Sequence, residues 1–328
     1  MQKILIEKAK QLICEGVVTR VLGWKKGEFC YDITPFMYTN VEELERDFVF
    51  DDFCAANLSK YLIPYARKEG KTLVFLKPCD SYSFTQLLNE HRISRQSVYA
   101  VAIPCYGKAD VDKIKDKGIQ GILGIKPTED RKGYLVNTLY GEETVERDEV
   151  LLEKCISCKS KMHPTYDELL FEEGELVADC TRFDEVEKIE AMTPDERFEF
   201  FRNELSRCIR CNACRNVCPA CSCEKCVFDN VNSGVENKAA ANDFEDKLFH
   251  IIRAFHVAGR CTDCGECTRV CPQHIPLHLI NRKLIKDMSE LYGDYMAGAG
   301  EGSRTPLTSY KTDDHEPSIV YKRGGDKK

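Results

Sequence analysis

Arg207–Pro219 and Arg260–Pro272 are two copies of one pattern, R-C-x2-C-x2-C-x3-C-P. Three thiolates spaced by two residues can wrap one face of an iron–sulfur cubane, with the intervening backbone N–H groups turned toward its sulfides. The fourth cysteine lies on the next turn and faces the other way, toward a partner cluster. The spacing therefore predicts two [4Fe-4S] sites. Cys208, Cys211, Cys214 and Cys271 form the first, and Cys261, Cys264, Cys267 and Cys218 the second. The proline after each fourth cysteine ends the turn. Structural zinc also uses C-x2-C pairs, but two identical four-cysteine runs exceed what one four-ligand ion needs. A C-x3-C-x2-C match at Cys214, Cys218 and Cys221 falls inside a complete run and is read as accidental.

The remaining composition agrees with sulfur chemistry in a reducing compartment. There are 19 cysteines among 328 residues, an odd number in a chain too large to need staples, so metal or redox chemistry suits it better than a disulfide framework. Forty-seven basic against 54 acidic residues, a formal charge of −7, leave no footprint for nucleic-acid binding. No apolar run is long enough to cross a bilayer. Residues 1–16 read as an amphipathic helix rather than a signal peptide, because charges interrupt them throughout. A cytoplasmic protein is expected.

Residues 1–192 alternate β-like runs (Val17–Leu22, Thr72–Leu76, Val98–Ile103) with helix-like runs (Leu58–Lys68, Ser81–Arg92, Ala109–Lys117), the pattern of an α/β domain with a mainly parallel sheet. A helical domain is expected over 193–293. Thr193-Pro194-Asp195-Glu196 starts one helix, Asn242–Asp243 a second that stops at Gly259, and Leu277–Leu291 forms a third that ends at Gly293. Residues 294–328, polar and glycine-rich, read as a flexible tail.

Within the first domain, strand, Pro-Cys, turn and helix occur twice, at Pro78-Cys79 and Pro104-Cys105. Parallel neighbouring strands would bring both thiols to one C-terminal sheet edge, where α/β proteins bind ligands. With the Cys155-x2-Cys158 pair they make a candidate third [4Fe-4S] site. Buried apolar cysteines are the plainer alternative. Gly118, Gly121 and Gly124 lack a dinucleotide fingerprint and are read as turns. Cys221, Cys223 and Cys226 follow the first run directly and suggest an additional cluster with Cys180 as a distant fourth ligand, a zinc ion or a redox thiol pair. Cys14, Cys30 and Cys54 are isolated and structural. His250, His256, His274 and His278 flank the second run and read as packing or surface residues. Arg207, Arg210, Arg215, Arg260 and Arg269 are expected to compensate cluster charge.

The paired runs, separated by a long helical stretch, resemble the α-helical two-cluster ferredoxin domains of heterodisulfide reductase and succinate dehydrogenase iron–sulfur subunits. Cys79, Cys105, Cys155 and Cys158 resemble the cysteines of the β subunits of formate dehydrogenases and deazaflavin-dependent hydrogenases. The resemblance implies an electron-transfer subunit of an anaerobic oxidoreductase complex, partnered by a catalytic subunit and other electron-transfer proteins. It also implies a flavin such as FAD beside the third site, and so a second reading: a subunit that itself oxidises or reduces a nicotinamide or deazaflavin carrier. A zinc-stabilised interaction protein is the remaining alternative.

Overall fold

The computed structural model describes residues 1–177, 180–230, 232 and 243–309. Helix α1 (Gln2–Cys14) buries Leu5, Ala9 and Leu12 at helical spacing. Strands β1 (Arg20–Lys26) and β2 (Ile33–Tyr38) and helix α2 (Val41–Asp47) follow, then a short 3-10 segment, Ser59–Tyr65. The amphipathic helix expected at Leu58–Lys68 is limited to this tighter turn, which contains Pro64; proline supplies no backbone donor to an α-helix. Next come β3 (Thr72–Leu76), α3 (Pro78–Asn89), β4 (Val98–Ala102) and α4 (Val111–Asp116). Strands β5 (Ile122–Pro127), β6 (Gly133–Thr138) and β7 (Gly141–Glu146) and the single turns α5 (Arg147–Val150) and α6 (Glu153–Ile156) lead to the two-residue β8 (Glu168–Leu169).

The main sheet has the order β2-β1-β3-β4-β8. Only β1 and β2 pair antiparallel; every other neighbouring pair is parallel. The fold is thus α/β with a mostly parallel mixed sheet. Thr72–Leu76 is central and buried at every position, as an unbroken apolar run requires. Trp24, expected in the core or at its rim, is fully buried. An antiparallel meander, β5-β6-β7, forms a separate sheet that the sequence pattern did not reveal. Gly118 and Gly121, with φ of 85° and 63°, make the turns read from them; Gly124 lies instead within β5.

Helices α7 (Asp184–Glu190), α8 (Pro194–Leu205), α9 (Ala213–Asn216), α10 (Asp243–Val257), α11 (Glu266–Arg269) and α12 (His278–Tyr292) make up the helical region. Thr193 and Glu196 close a full capping box on α8. Gly259 (φ 67°) follows α10 and Gly293 (φ 86°) follows α12. Asn242 lies outside the described residues. Of the expected flexible tail, residues 310–328 also lie outside them. Residues 294–309 pack back: Asn89 Nδ2 donates to Gly300 O at 3.0 Å, and Tyr295 OH donates to Gly259 O at 2.9 Å.

Candidate iron–sulfur centres

The two cysteine runs share their backbone as well as their spacing. Arg210 and Asn212 in the first run, and Asp263 and Gly265 in the second, all adopt left-handed φ, between 51° and 66°. Left-handed residues at alternate positions turn successive amides inward and make a concavity for an anion. At Gly265 a side chain is also excluded by packing, since an added Cβ would stand 2.4 Å from Lys154 Cβ. Each run then enters a four-residue helical turn, α9 or α11.

The charges of Cys271 and Cys211 act on Cys208, and those of Cys208 and Cys271 on Cys214. In the same way the charge of Cys218 acts on Cys261, Cys264 and Cys267. Cys271 thus lies near Cys208 and Cys214 of the first run, and Cys218 near Cys261, Cys264 and Cys267 of the second, with Cys267 also close to Cys214. Burial pushes the Cys214 thiol up to about 11 and Cys261 up to about 12. Such thiols surrender their protons only to a metal or a strong local positive potential.

That potential comes largely from a residue the sequence analysis did not single out. Arg253 on α10 is 3 % exposed, and its Nε and Nη1 have no hydrogen-bond partner among the described residues. The charges of Cys267, Cys214, Cys218 and Cys221 all act on it. A buried guanidinium aimed at thiols without a carboxylate is costly unless an anion accompanies it. This orphaned cation and the inward-turned amides fit anionic thiolate-ligated clusters. The signal was present in the sequence: Arg253 falls on the buried stripe of α10 with Phe249 and Val257.

The arginines expected to compensate cluster charge have carboxylate partners of their own. Arg207 pairs with Glu204, and Arg210 Nε lies 3.0 Å from Asp246. Arg215 is 2.9 Å from Asp229, Arg260 Nε 2.8 Å from Glu90, and Arg269 Nη2 2.8 Å from Glu266. Their positive charge is largely met before any cluster is considered. Among the histidines, His250 is 1 % exposed and is held down to about 3 by burial and then by Arg253 and Arg210. It is a neutral packing residue beside the cationic site.

In the first region, β3 and β4 pair in parallel with Leu76 opposite Ala102, so both Pro-Cys segments leave the sheet at one edge. Cys79 sits in the first turn of α3 and Cys105 in the loop after β4. Cys155 lies in α6, and Cys158 just beyond it. All four line one cavity, together with Cys264 and Asp263 from the second run. Burial drives Cys79 well above its ordinary range and Cys155 up to about 11. Lys161 Nζ stands 3.6 Å from Cys158 Sγ. Behind the cavity, Lys154 donates to Ala55 O at 2.8 Å and pairs with Glu266, which is 1 % exposed. Burial pushes Glu266 up, but Arg269 and Lys154 hold its carboxyl well below the usual range.

Cys221, Cys223 and Cys226 line a different cavity, with Lys60, Arg253 and His256. Cys180, expected as their distant partner, is placed elsewhere, with its Sγ 3.7 Å from Ser157 O beside the Cys155–Cys158 pair. Cys30 and Cys54 are buried packing residues, and Cys14 is exposed. Among the described residues no group of three or more histidine, cysteine or carboxylate side chains is drawn together for a single ion. A cubane takes one thiolate per iron and spreads its ligands more widely. No described helix is long and apolar enough to cross a membrane.

Residues 204–275 match a family described as a 4Fe-4S dicluster domain. The β subunit of the F420-dependent formate dehydrogenase of Methanocaldococcus jannaschii is 25 % identical, over 91 % of this chain and 92 % of that protein. The corresponding β subunit of formate dehydrogenase 1 from Methanococcus maripaludis is 24 % identical, over 85 % of this chain and 87 % of its own length. A putative ferredoxin of Sinorhizobium fredii is 32 % identical over 82 residues, which are 24 % of this chain and 75 % of that protein. Among solved structures, the F420-reducing [NiFe] hydrogenase complex of Methanosarcina barkeri contains a chain aligned at 12 % identity and a TM-score of 0.41, covering 63 % of this chain and 86 % of that one. The chain thus carries a ferredoxin-type 4Fe-4S dicluster domain and, over nearly all its length, is related to the β subunits of F420-dependent formate dehydrogenases.

Proposed function

We propose that this chain is the electron-transfer subunit of a cytoplasmic oxidoreductase complex of the formate dehydrogenase, hydrogenase or heterodisulfide reductase kind, working in an anaerobic cell. It would hold two [4Fe-4S] groups on the paired runs and a third on Cys79, Cys105, Cys155 and Cys158. When bound, such groups supply one-electron chemistry at potentials set by hydrogen bonding, charge and burial. The chain's own residues do the rest. Amides at Arg210, Asn212, Asp263 and Gly265 form the receiving concavities, Arg253 balances negative charge, and α3 and α12 exclude water.

The observation that carries this reading is the shared cavity. Cys79, Cys105, Cys155 and Cys158 line the same space as Cys264, so the first region and the second run meet at one wall. The test is iron and acid-labile sulfide on anaerobically purified protein, followed by stepwise reduction monitored by electron paramagnetic resonance. Magnetically interacting signals that lose one component in Cys79→Ser/Cys105→Ser support the relay. A signal set unchanged by that variant, with iron near eight per chain, would remove the third site.

The second reading, a flavin-bearing subunit that reacts with a soluble hydride carrier, rests on another cavity. It lies between Tyr31 and Phe53 on one side and Arg269, His274 and His278 on the other, with a volume of about 210 Å³. Sites for drug-sized ligands usually span about 300–1,000 Å³, so this cavity suits part of such a ligand rather than a whole dinucleotide. Stoichiometric flavin together with carrier-dependent activity of the isolated chain would favour it over the relay.

A further inference from the structure

The arginines of the cysteine runs each meet a carboxylate, at Glu204, Asp246, Asp229, Glu90 and Glu266. Arg253 meets none among the described residues; the charges that act on it are those of Cys267, Cys214, Cys218 and Cys221. It projects from the buried side of α10, and its Nε and Nη1 are left without a partner there. His250, three residues earlier on the same helix, stays uncharged and adds no second positive charge.

The thiols around Arg253 come from both ligand sets. Cys214 belongs to the first, and Cys267 and Cys218 belong to the second. Arg253 donates a hydrogen bond to Cys267 while its charge also reaches Cys214. Cys221, outside the runs, donates to Cys218 and so joins the same group of thiols. One buried guanidinium therefore serves ligands of two centres at once. Each one-electron reduction places a further negative charge on a cluster, and a nearby cation that no carboxylate neutralises stabilises that reduced state. Burial preserves the effect, because salt screens a buried charge far less than an exposed one.

We propose that Arg253 is a counter-cation shared by the two clusters of the paired runs, and that it raises both reduction potentials together. This rests on the reading of the paired runs as cluster ligands, and the experiment separates the two ideas. Full-length Arg253→Gln, which keeps hydrogen-bond donors and loses the charge, is purified anaerobically beside the unaltered chain. Both are assayed for iron and sulfide and titrated with dithionite, with the cluster signals followed by electron paramagnetic resonance. At the midpoint potential of each cluster in the unaltered protein, the ratio of reduced to oxidised form should fall about tenfold or more, a shift of about 59 mV per tenfold step for a one-electron couple. Arg253→Lys, which restores a charge, should recover part of that loss.

Full iron with both midpoints unchanged, or with one cluster shifted alone, overturns the shared role and leaves the electron-transfer reading standing. A Lys variant as low as the Gln variant overturns charge as the cause. Absence of iron from the unaltered protein would sink both ideas. If the Gln variant holds no iron, the unaltered protein grown on arginine isotopically labelled at its guanidinium nitrogens decides the matter. Nitrogen hyperfine coupling in the signals of both clusters supports the shared cation, and coupling in fewer than two overturns it.

Discussion

The two halves of this molecule are held together by different means. Around the sheet, Trp24, Phe75, Phe84 and their neighbours form a continuous apolar core that owes nothing to a bound group. In the helical region the buried cluster is small, and Cys214 and Cys267 are themselves members of it, beside Leu205, Phe228, Phe249, Ile275 and Leu277. Helices α9 and α11 are single turns, too short to stand on backbone hydrogen bonding alone. If Cys214 and Cys267 hold clusters as proposed, the core of the helical region contains its own metal ligands and its folding is coupled to metal binding, whereas the apolar core around the sheet contains none of the proposed ligands.

Stripping the iron with a chelator under oxidising conditions should therefore have the largest effect, and an uneven one. The segment from about residue 204 to 275 should become protease-sensitive while the sheet region remains resistant. A metal-free protein resistant throughout would break the comparison. Next in size is a fully buried ion pair between the halves, Lys154 with Glu266. Lys154→Met leaves Glu266 buried with Arg269 as its remaining partner, and removing one member of a buried pair costs roughly 3 kcal/mol or more. Denaturation followed by cluster absorbance and by circular dichroism should show the two halves melting apart in this variant. A loss below about 1 kcal/mol would mean that the halves are joined by other contacts.

Acid provides a smaller probe confined to the helical side. Burial, and then Arg282, hold His278 down to about 4, below the ordinary value of a free imidazole. Its folded state binds fewer protons than the unfolded chain. The stability it contributes is full above about pH 6.5 and is lost as the pH falls from there toward 4, by up to about 3 kcal/mol. His278→Asn should flatten that part of the pH–stability profile of the iron-loaded protein; an unaltered slope would assign the acid lability elsewhere. Smallest is Thr193→Ala, which opens the capping box of α8 and should cost about 1 kcal/mol without altering the cluster spectra.

Much of this was legible in the sequence because the relevant signals are local. The capping box at Thr193 and Glu196, the spacing of the two runs and the Pro-Cys segments after β3 and β4 each need only a few neighbouring residues to be read. The features that escaped depend on distant partners. Strand β7, Gly141–Glu146, is exposed at every position except Val145, so it has almost no apolar alternation to betray it. The arginines of the runs look like cluster partners until Asp246, Asp229 and Glu90, remote in sequence, are seen to meet three of them. Arg253 looks like one more helical charge until its face of α10 is known to be buried.

Helix α3 has a buried polar flank. Ser83 Oγ lies 2.9 Å from Thr262 Oγ1, Ser81 Oγ donates to Thr165 O, and Tyr82 OH donates to Ser160 Oγ. Gly298, at φ 73°, lies so close that a Cβ there would stand 2.0 Å from Tyr82 O. Every one of these partners is translated long after α3 itself. A nascent chain therefore carries this helix half-covered, with Cys79 at its end, until residue 262 and then residue 298 have left the ribosome. The order of synthesis sets when the sheet-edge cysteines become enclosed, and any metallation of them must be completed before that closure or pass through it.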